Sequence, residues 1–368
     1  MLVKFEVENF KKFKDKFTFD LSNVKNYEFN TRCIKNDNVN KSIIYGVNGV
    51  GKSNLGLALF DIVGHLTDKY FNAGLYTNYL NANGIKRSAH FKYHFKFQGV
   101  EVTYSYSKRN ITEVIEETLE IDGKEVISYS IGTLIRTNLE GTESLNKDLG
   151  DSKLSALKYI KKNAILKEGF VKVIFDEFFD FVENMLFFKS LEQVDFIGYK
   201  NTPELIGNTI INDGHLEDFE KFLNESSIEC KLSYIELNGD KNITFNFGDI
   251  QLDFWSIAST GTKSLTLFYF WYKELQKSKF KSLIFIDEFD AFYHHQLSYS
   301  VVERLIELDA QVILTTHDIN IMSNDLMRPD CYFIMSHSEI ESIAHKTKKE
   351  LRVAHNLEKM YRAGSFGD

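Results

Sequence analysis

The stretch KSIIYGVNGVGKSNL, residues 41–55, places Gly46, Gly51, Lys52 and Ser53 at the spacing G-x-x-x-x-G-K-[ST]. Apolar residues Ile43 and Ile44 run into it, and behind it Leu55, Ala58, Leu59, Ile62, Val63 and Leu66 recur at helical spacing. A strand, a glycine-rich turn and a helix in that order gather backbone N–H groups and a positive helix end at one point, which makes a cradle for phosphate. The pattern commits the chain to an α/β fold, with a largely parallel core sheet and its site at the carboxyl ends of the strands.

Within the loop, Gly46, Asn48, Gly49, Val50, Gly51, Lys52, Ser53 and Asn54 are the expected nucleotide contacts. The glycines let the backbone approach the phosphate oxygens, Lys52 reaches the outer phosphates, and the Ser53 hydroxyl suits Mg2+.

Three later stretches narrow the use of the nucleotide. SLIFIDEFDAF ends an apolar run in Asp287 and Glu288: a carboxylate at a strand end is the second magnesium contact, and the adjacent Glu288 is placed to activate water. An Asp–Glu pair in that position suits an ATPase rather than a small GTPase, and no Asn-Lys-x-Asp guanine reader occurs, since Asn146 and Lys147 are followed by Asp148 and Leu149. WSIASTGTKSL brings Ser259 and Gly261 to the start of a second helix, a further positive helix end with a hydroxyl. Taken alone, Ser259 is an N-cap; beside the first phosphate site it suits the nucleotide of another molecule. QVILTTHD delivers His317 at the end of an apolar strand. The order of loop, second helix start, acidic pair and histidine, each at the end of an element, points to one composite site.

Composition sets bounds on partners. The net charge of −8 among 368 residues argues against a surface built mainly to grip nucleic acid, although a local basic groove formed by Lys153, Lys158, Lys161, Lys162, Lys167 and Lys172 stays open beside the plainer reading of an exposed helix face. No run reaches the roughly 18 apolar residues of a membrane span, so no membrane role and a cytoplasmic setting are expected. Cys33, Cys230 and Cys331 are scattered, without the spacing of a zinc site.

Three regions are expected. Residues 1–130 form a nucleotide-binding lobe with the phosphate loop and an antiparallel β part, whose turns fall at Gln98-Gly99 and Asp122-Gly123. Residues 131–250 form a mostly helical insertion, in which Val171, Ile174, Phe175, Phe178, Val182 and Met185 share one helical face. Residues 251–368 form a lobe with the second helix start, the acidic pair and His317. No sustained heptad marks a long coiled-coil arm.

On these residues the chain resembles the ATPase head of the ABC superfamily, in the SMC, RecF and OLD branch. STGTKSL, residues 259–265, is similar to that branch's signature, DEFD, residues 287–290, to its Walker B motif, and His317 to its switch histidine. The opening F-x-V-x-N-F and the closing N-L-E-K-x-Y-x-x-G-x-F-G, residues 356–367, resemble compact prokaryotic ATPases of abortive-infection and Septu-like antiphage systems. The resemblance implies a P-loop NTPase with an ABC-type head that pairs with a second copy of itself around ATP and Mg2+. Ser259 and Gly261 of one copy then close over the nucleotide on Lys52, Ser53 and Asp287 of the other, with Glu288 and His317 as catalytic residues. It further implies a sensor that controls a separate toxic effector, a nuclease from an adjacent gene, with DNA or a phage component as trigger. A RecF-like clamp on DNA and a nucleotide-gated scaffold are the alternatives. Tyr293, His294 and His295 stand where relatives carry Asp after Walker B, and capping or interface roles suit the two histidines better than metal binding.

Overall fold

The structure, a computed structural model, describes residues 1–69, 72–150, 152–188, 196–197, 203–237, 240–277, 282–291 and 293–367. Its centre is a seven-stranded sheet in the order Phe196–Ile197, Leu186–Phe188, Leu283–Ile286, Gln311–Thr316, Lys41–Tyr45, Tyr332–Met335, Ile340–Ser342. The five inner strands are mutually parallel and the two edge strands antiparallel to their neighbours. Every residue of Lys41–Tyr45, Leu283–Ile286, Gln311–Thr316 and Tyr332–Met335 is buried. That is the signature of parallel strands covered on both faces, and it explains why they read as unbroken apolar runs.

A second seven-stranded sheet, wholly antiparallel, runs Arg136–Thr137, Lys124–Ser130, Glu113–Ile121, Val100–Asn110, Ala89–Phe97, Leu2–Glu8, Phe17–Asp20. Its strands alternate buried and half-buried residues, as in Ala89–Phe97. The turns at Gln98-Gly99 and Asp122-Gly123 have positive φ at both residues (49° and 85°; 52° and 70°), the two-residue geometry that matches the twist of the flanking strands.

The helix Lys52–Leu66 is clamped between the two sheets and is apolar on nearly every side. Phe60 packs against Phe187 of the core sheet at 5.3 Å between ring centroids, while Tyr93 of the antiparallel sheet donates its hydroxyl hydrogen to the Ala58 carbonyl. A buried polar network binds the same interface. Asp61 accepts from Lys108 Nζ at 2.8 Å, Tyr106 at 2.9 Å and Tyr79 at 2.8 Å, and both charged side chains of the pair have no exposed surface. Nearby, Glu117 accepts from Tyr104 and Ser155, and from the N–H of Ala156 at the start of the helix Ala156–Asn163.

Residues 131–250, expected to be mostly helical, are mixed. The helix Phe170–Glu183 ends at Asn184, and Leu186–Phe188 then enters the core sheet beside Leu283–Ile286. Met185 is buried but lies beyond the helix, and Val171, at the other end of the expected apolar face, is 38% exposed. A short apolar run such as MLFF carries no period that separates a helix end from a buried strand. The helix itself packs on the antiparallel sheet, with Phe178 and Phe181 at 5.6 Å and 5.4 Å from Phe95. Further on, Leu232–Leu237, Asp240–Asn246 and Gln251–Asp253 form a small antiparallel sheet. Of the cysteines, Cys33 and Cys331 are buried and Cys230 is half-buried. No helix among the described residues is long and apolar enough to cross a membrane.

Candidate nucleotide site

Strand register decides where the chemistry falls. Tyr45 pairs with Thr316 and with Ile334, and Ile286 pairs with Leu314 and with Phe188, so the carboxyl ends of the strands finish together. The glycine loop leaves Tyr45, Asp287 and Glu288 leave Ile286, and His317 leaves Thr316. Residues scattered over most of the chain are thereby brought to one rim.

Gly51 has φ 117°, a conformation closed to other residues, and turns the loop into the helix Lys52–Leu66. A side chain at Gly46 would bring its Cβ to 2.8 Å from the Met335 carbonyl oxygen, so this glycine is required by the neighbouring strand. Val50 is buried beneath the loop, and the first turn of the helix is capped by no side chain. Asn48, Gly49, Gly51, Lys52, Ser53 and Asn54 line a cleft of about 210 Å³ together with Lys12, Glu288 and His317. Lys12 is exposed there, whereas its neighbour Lys11 donates to the Thr77 carbonyl.

Lys52 Nζ donates to the Gly46 carbonyl at 2.7 Å and lies 2.8 Å from His317 Nε2. Burial lowers the Lys52 pKa against the pull of Asp287 and Glu288. Burial also lowers the His317 pKa, with the Lys52 charge adding to the effect, so His317 is neutral at pH 7 and its Nε2 accepts from the ammonium. Glu288 Oε1 stands 3.9 Å from the same nitrogen. Asp287 is buried, which raises its pKa, and hydrogen bonds from Ser53 and Thr315 oppose the rise.

Sequence reading passed over Thr315. Its hydroxyl donates to Asp287 Oδ1 at 2.6 Å and accepts the Glu288 N–H at 2.8 Å, so one side chain fixes both acidic residues. Thr316 does the same for the next turn, donating to Asp290 and accepting the Asp318 N–H. The available signal was the pair of hydroxyls in QVILTT, buried at the end of an otherwise apolar strand. Glu288 adopts φ 46°, a left-handed conformation costing about 1–2 kcal/mol outside glycine, which bends the chain as it leaves the sheet.

Ser259 and Gly261 are not among the described residues lining this cleft. The Ser259 hydroxyl accepts the Thr262 N–H at 3.1 Å, an N-cap on the helix Thr260–Lys277. That helix is tied to the loop after the acidic pair by Ser264 and Tyr293, whose hydroxyls are 2.9 Å apart. His294 caps the helix His295–Ile306 through Nδ1, and no group of three or more His, Cys, Asp or Glu residues able to hold a metal ion occurs among the described residues. A second depression of about 670 Å³ adjoins the cleft, lined by Asn48, Glu288, Asp290, His294, His317 and Asn320 among others. A separate groove of about 490 Å³ on the antiparallel sheet holds Glu6 and Lys16, paired at 2.9 Å, and none of the glycine-loop, Asp287, Glu288 or His317 residues.

The six lysines considered for a nucleic-acid groove all face carboxylates. Lys153 pairs with Glu113, Lys158 and Lys162 with Asp68, Lys161 and Lys172 with Asp176, and Lys167 with Glu140. Their charge is largely cancelled by the fold.

A strand–glycine loop–helix unit at the carboxyl edge of this sheet, with an Asp–Glu pair and a histidine on neighbouring strand ends, has the fold of a P-loop ATPase head. Residues 41–323 match the family described as "AAA domain, putative AbiEii toxin, Type IV TA system", and the chain belongs to that family. Among solved structures, an SMC head bound to the C-terminal winged-helix domain of ScpA is 15% identical, covers 93% of this chain and 97% of its own, and superposes with a TM-score of 0.51, a likeness of fold. An SMC head with an extended coiled coil from Pyrococcus furiosus is 14% identical over 98% of each chain, with a TM-score of 0.47. The recombination mediator RecF with ATP is 15% identical, with 93% and 99% coverage and a TM-score of 0.42. No curated protein matches the chain.

Proposed function

We propose that the protein is an ATPase that closes as a pair around ATP and acts as the sensor of an abortive-infection defence system, holding or releasing a separately encoded toxic effector, a nuclease. The observation that carries the ATPase reading is the meeting of Lys52, Ser53, Asp287, Glu288 and His317 at one sheet edge. The absence of Ser259 and Gly261 from that cleft supports pairing, because a second capped helix start has no phosphate to serve within its own chain. The defence role rests on the family's description and on the closing motif of residues 356–367.

In this reading the triphosphate lies along the loop amides, with Lys52 on its outer oxygens. The Ser53 hydroxyl and the Asp287 carboxylate are hard oxygen donors held side by side, and such a set fits Mg2+, whose remaining positions go to water and phosphate. When bound, the ion supplies charge neutralisation on the phosphates. Glu288 accepts a proton from water as its oxygen bonds to the γ-phosphorus and the bond to the β–γ bridging oxygen breaks, giving ADP and phosphate. The γ-phosphate draws Lys52 away from His317, and the neutral ring, by moving its proton from Nδ1 to Nε2, can then donate to a phosphate oxygen. Ser259 and Gly261 of the second copy complete the site.

The test is size-exclusion chromatography with ATP. Glu288→Gln should bind ATP, turn it over slowly and elute as a stable dimer, while Lys52→Ala should remain monomeric. Wild-type turnover in Glu288→Gln would remove that residue from its role. Co-purification of the neighbouring gene product and loss of phage protection in Lys52→Ala test the defence role; protection that survives Lys52→Ala would refute it. The DNA-clamp alternative gains nothing from the paired lysines.

A further inference from the structure

The closing segment takes no part in the chemistry, yet it packs both on the strand that leads into the glycine loop and on the loop after His317. Leu357 and Phe366 anchor it in the core, and Asn356 caps the short helix Leu357–Arg362 by accepting the Lys359 N–H at 2.8 Å. From this helix, the Tyr361 ring lies 6.4 Å from the ring of Tyr45, the residue that opens into the glycine loop. Arg362 Nη2 donates to Asn320 Oδ1 at 3.3 Å, in the loop that follows His317. Farther along that loop, the buried Asn324 side chain donates to the carbonyls of Arg352 and His355, each at 3.0 Å.

His317 needs such support. It leaves the sheet at Thr316, is exposed, and its ring is held by Lys52, the very group that ATP would draw away. What then fixes its position is the irregular backbone of residues 317–324. Asp318 and Asn320 stiffen the start of that stretch from within, and Tyr332 donates to the Ser323 carbonyl at 2.6 Å near its end. Asn30 donates to the Asn324 carbonyl at 2.6 Å, and the closing segment adds the ties from Arg362, Arg352 and His355.

We propose that residues 350–367 are a positioning clamp, with Tyr361 and Asn324 as its main contacts, that keeps His317 at a fixed reach from the phosphate loop. This rests on the ATPase reading above. The clamp contacts no nucleotide; it acts through His317 and Tyr45. A misplacement of about 1 Å at a catalytic group costs on the order of a hundredfold in rate.

Tyr361→Ala should lower kcat by that factor with the KM for ATP little changed, and Tyr361→Phe should restore it, because the ring makes the contact. In a His317→Ala background, Tyr361→Ala should cost nothing further. Losses that multiply, or a raised KM at constant kcat, would overturn the clamp. Amide exchange gives a readout that needs no turnover: residues 317–324 should exchange faster in Tyr361→Ala while the core strands stay protected. Unchanged protection of those residues would also overturn it. Wild-type protein that binds ATP without hydrolysing it would refute the ATPase reading, while the exchange experiment would still decide the clamp.

Discussion

Two lysines show how differently this fold treats one side chain. Lys52 opens the helix that follows the phosphate loop and Lys108 lies against it, and both are drawn down in pKa by burial. Lys108 is closed in entirely, paired with Asp61 and set over the Tyr106 ring, while Tyr79 and Tyr106 fill the rest of the carboxylate. Lys52 has a carbonyl, a neutral histidine and an open cleft, with Glu288 and His317 about half exposed around it. A charge whose partners are complete is a fastener between two sheets. One left with exchangeable partners is a place for a ligand.

Removing a partner should separate the two cases. Lys108→Met strands Asp61 inside the protein and should cost about 3–5 kcal/mol in chemical denaturation; a loss under about 1 kcal/mol would mean that the pair does not fasten the sheets. Glu288→Gln, at the open site, should slow ATP hydrolysis on the order of a hundredfold, about 2.7 kcal/mol of barrier, while moving stability by no more than about 0.5 kcal/mol. Thr315→Val stands between them, since it takes a donor from Asp287 and an acceptor from the Glu288 N–H. It should lower both stability, by about 1–3 kcal/mol, and turnover, and a variant that lost only stability would remove Thr315 from the site. The smallest effect comes with pH. His65, within the closed network and 2.8 Å from the Tyr104 hydroxyl, is held neutral because burial and Lys108 depress its pKa. The unfolded chain takes up that proton below about pH 6.5 and the folded chain does not, so stability should be level above that value and fall by up to about 1.4 kcal/mol per pH unit beneath it. Stability that rises on acidification from pH 6.5 to 5.5 would contradict this.

The open site was largely legible in the sequence and the closed network was not. Glycines at fixed spacing, an Asp–Glu pair after LIFI and a histidine after an apolar strand each report a local geometry, and strand register then brings them together. The partnership of Asp61 with Lys108 joins a helix to a strand in a different sheet, and nothing at either position announces the other. Leu186–Phe188 escaped for the same reason: its claim to be a strand lies in its neighbours Leu283–Ile286 and Phe196–Ile197. The six paired lysines show the converse: of the groove and the exposed helix face that the sequence left open, the ion pairs with Glu113, Asp68, Asp176 and Glu140 favour the exposed face.

The core sheet also fixes when the protein can work. Lys41–Tyr45 lies between Gln311–Thr316 and Tyr332–Met335, so the strand leading into the loop has no flanking strands until the far end of the chain exists. The antiparallel sheet, built within residues 2–137, can form first, as domains do when a ribosome releases about 5–20 residues per second. A nascent chain thus carries its phosphate loop long before Glu288 and His317 are translated, and the rim that unites them cannot be assembled until both have emerged.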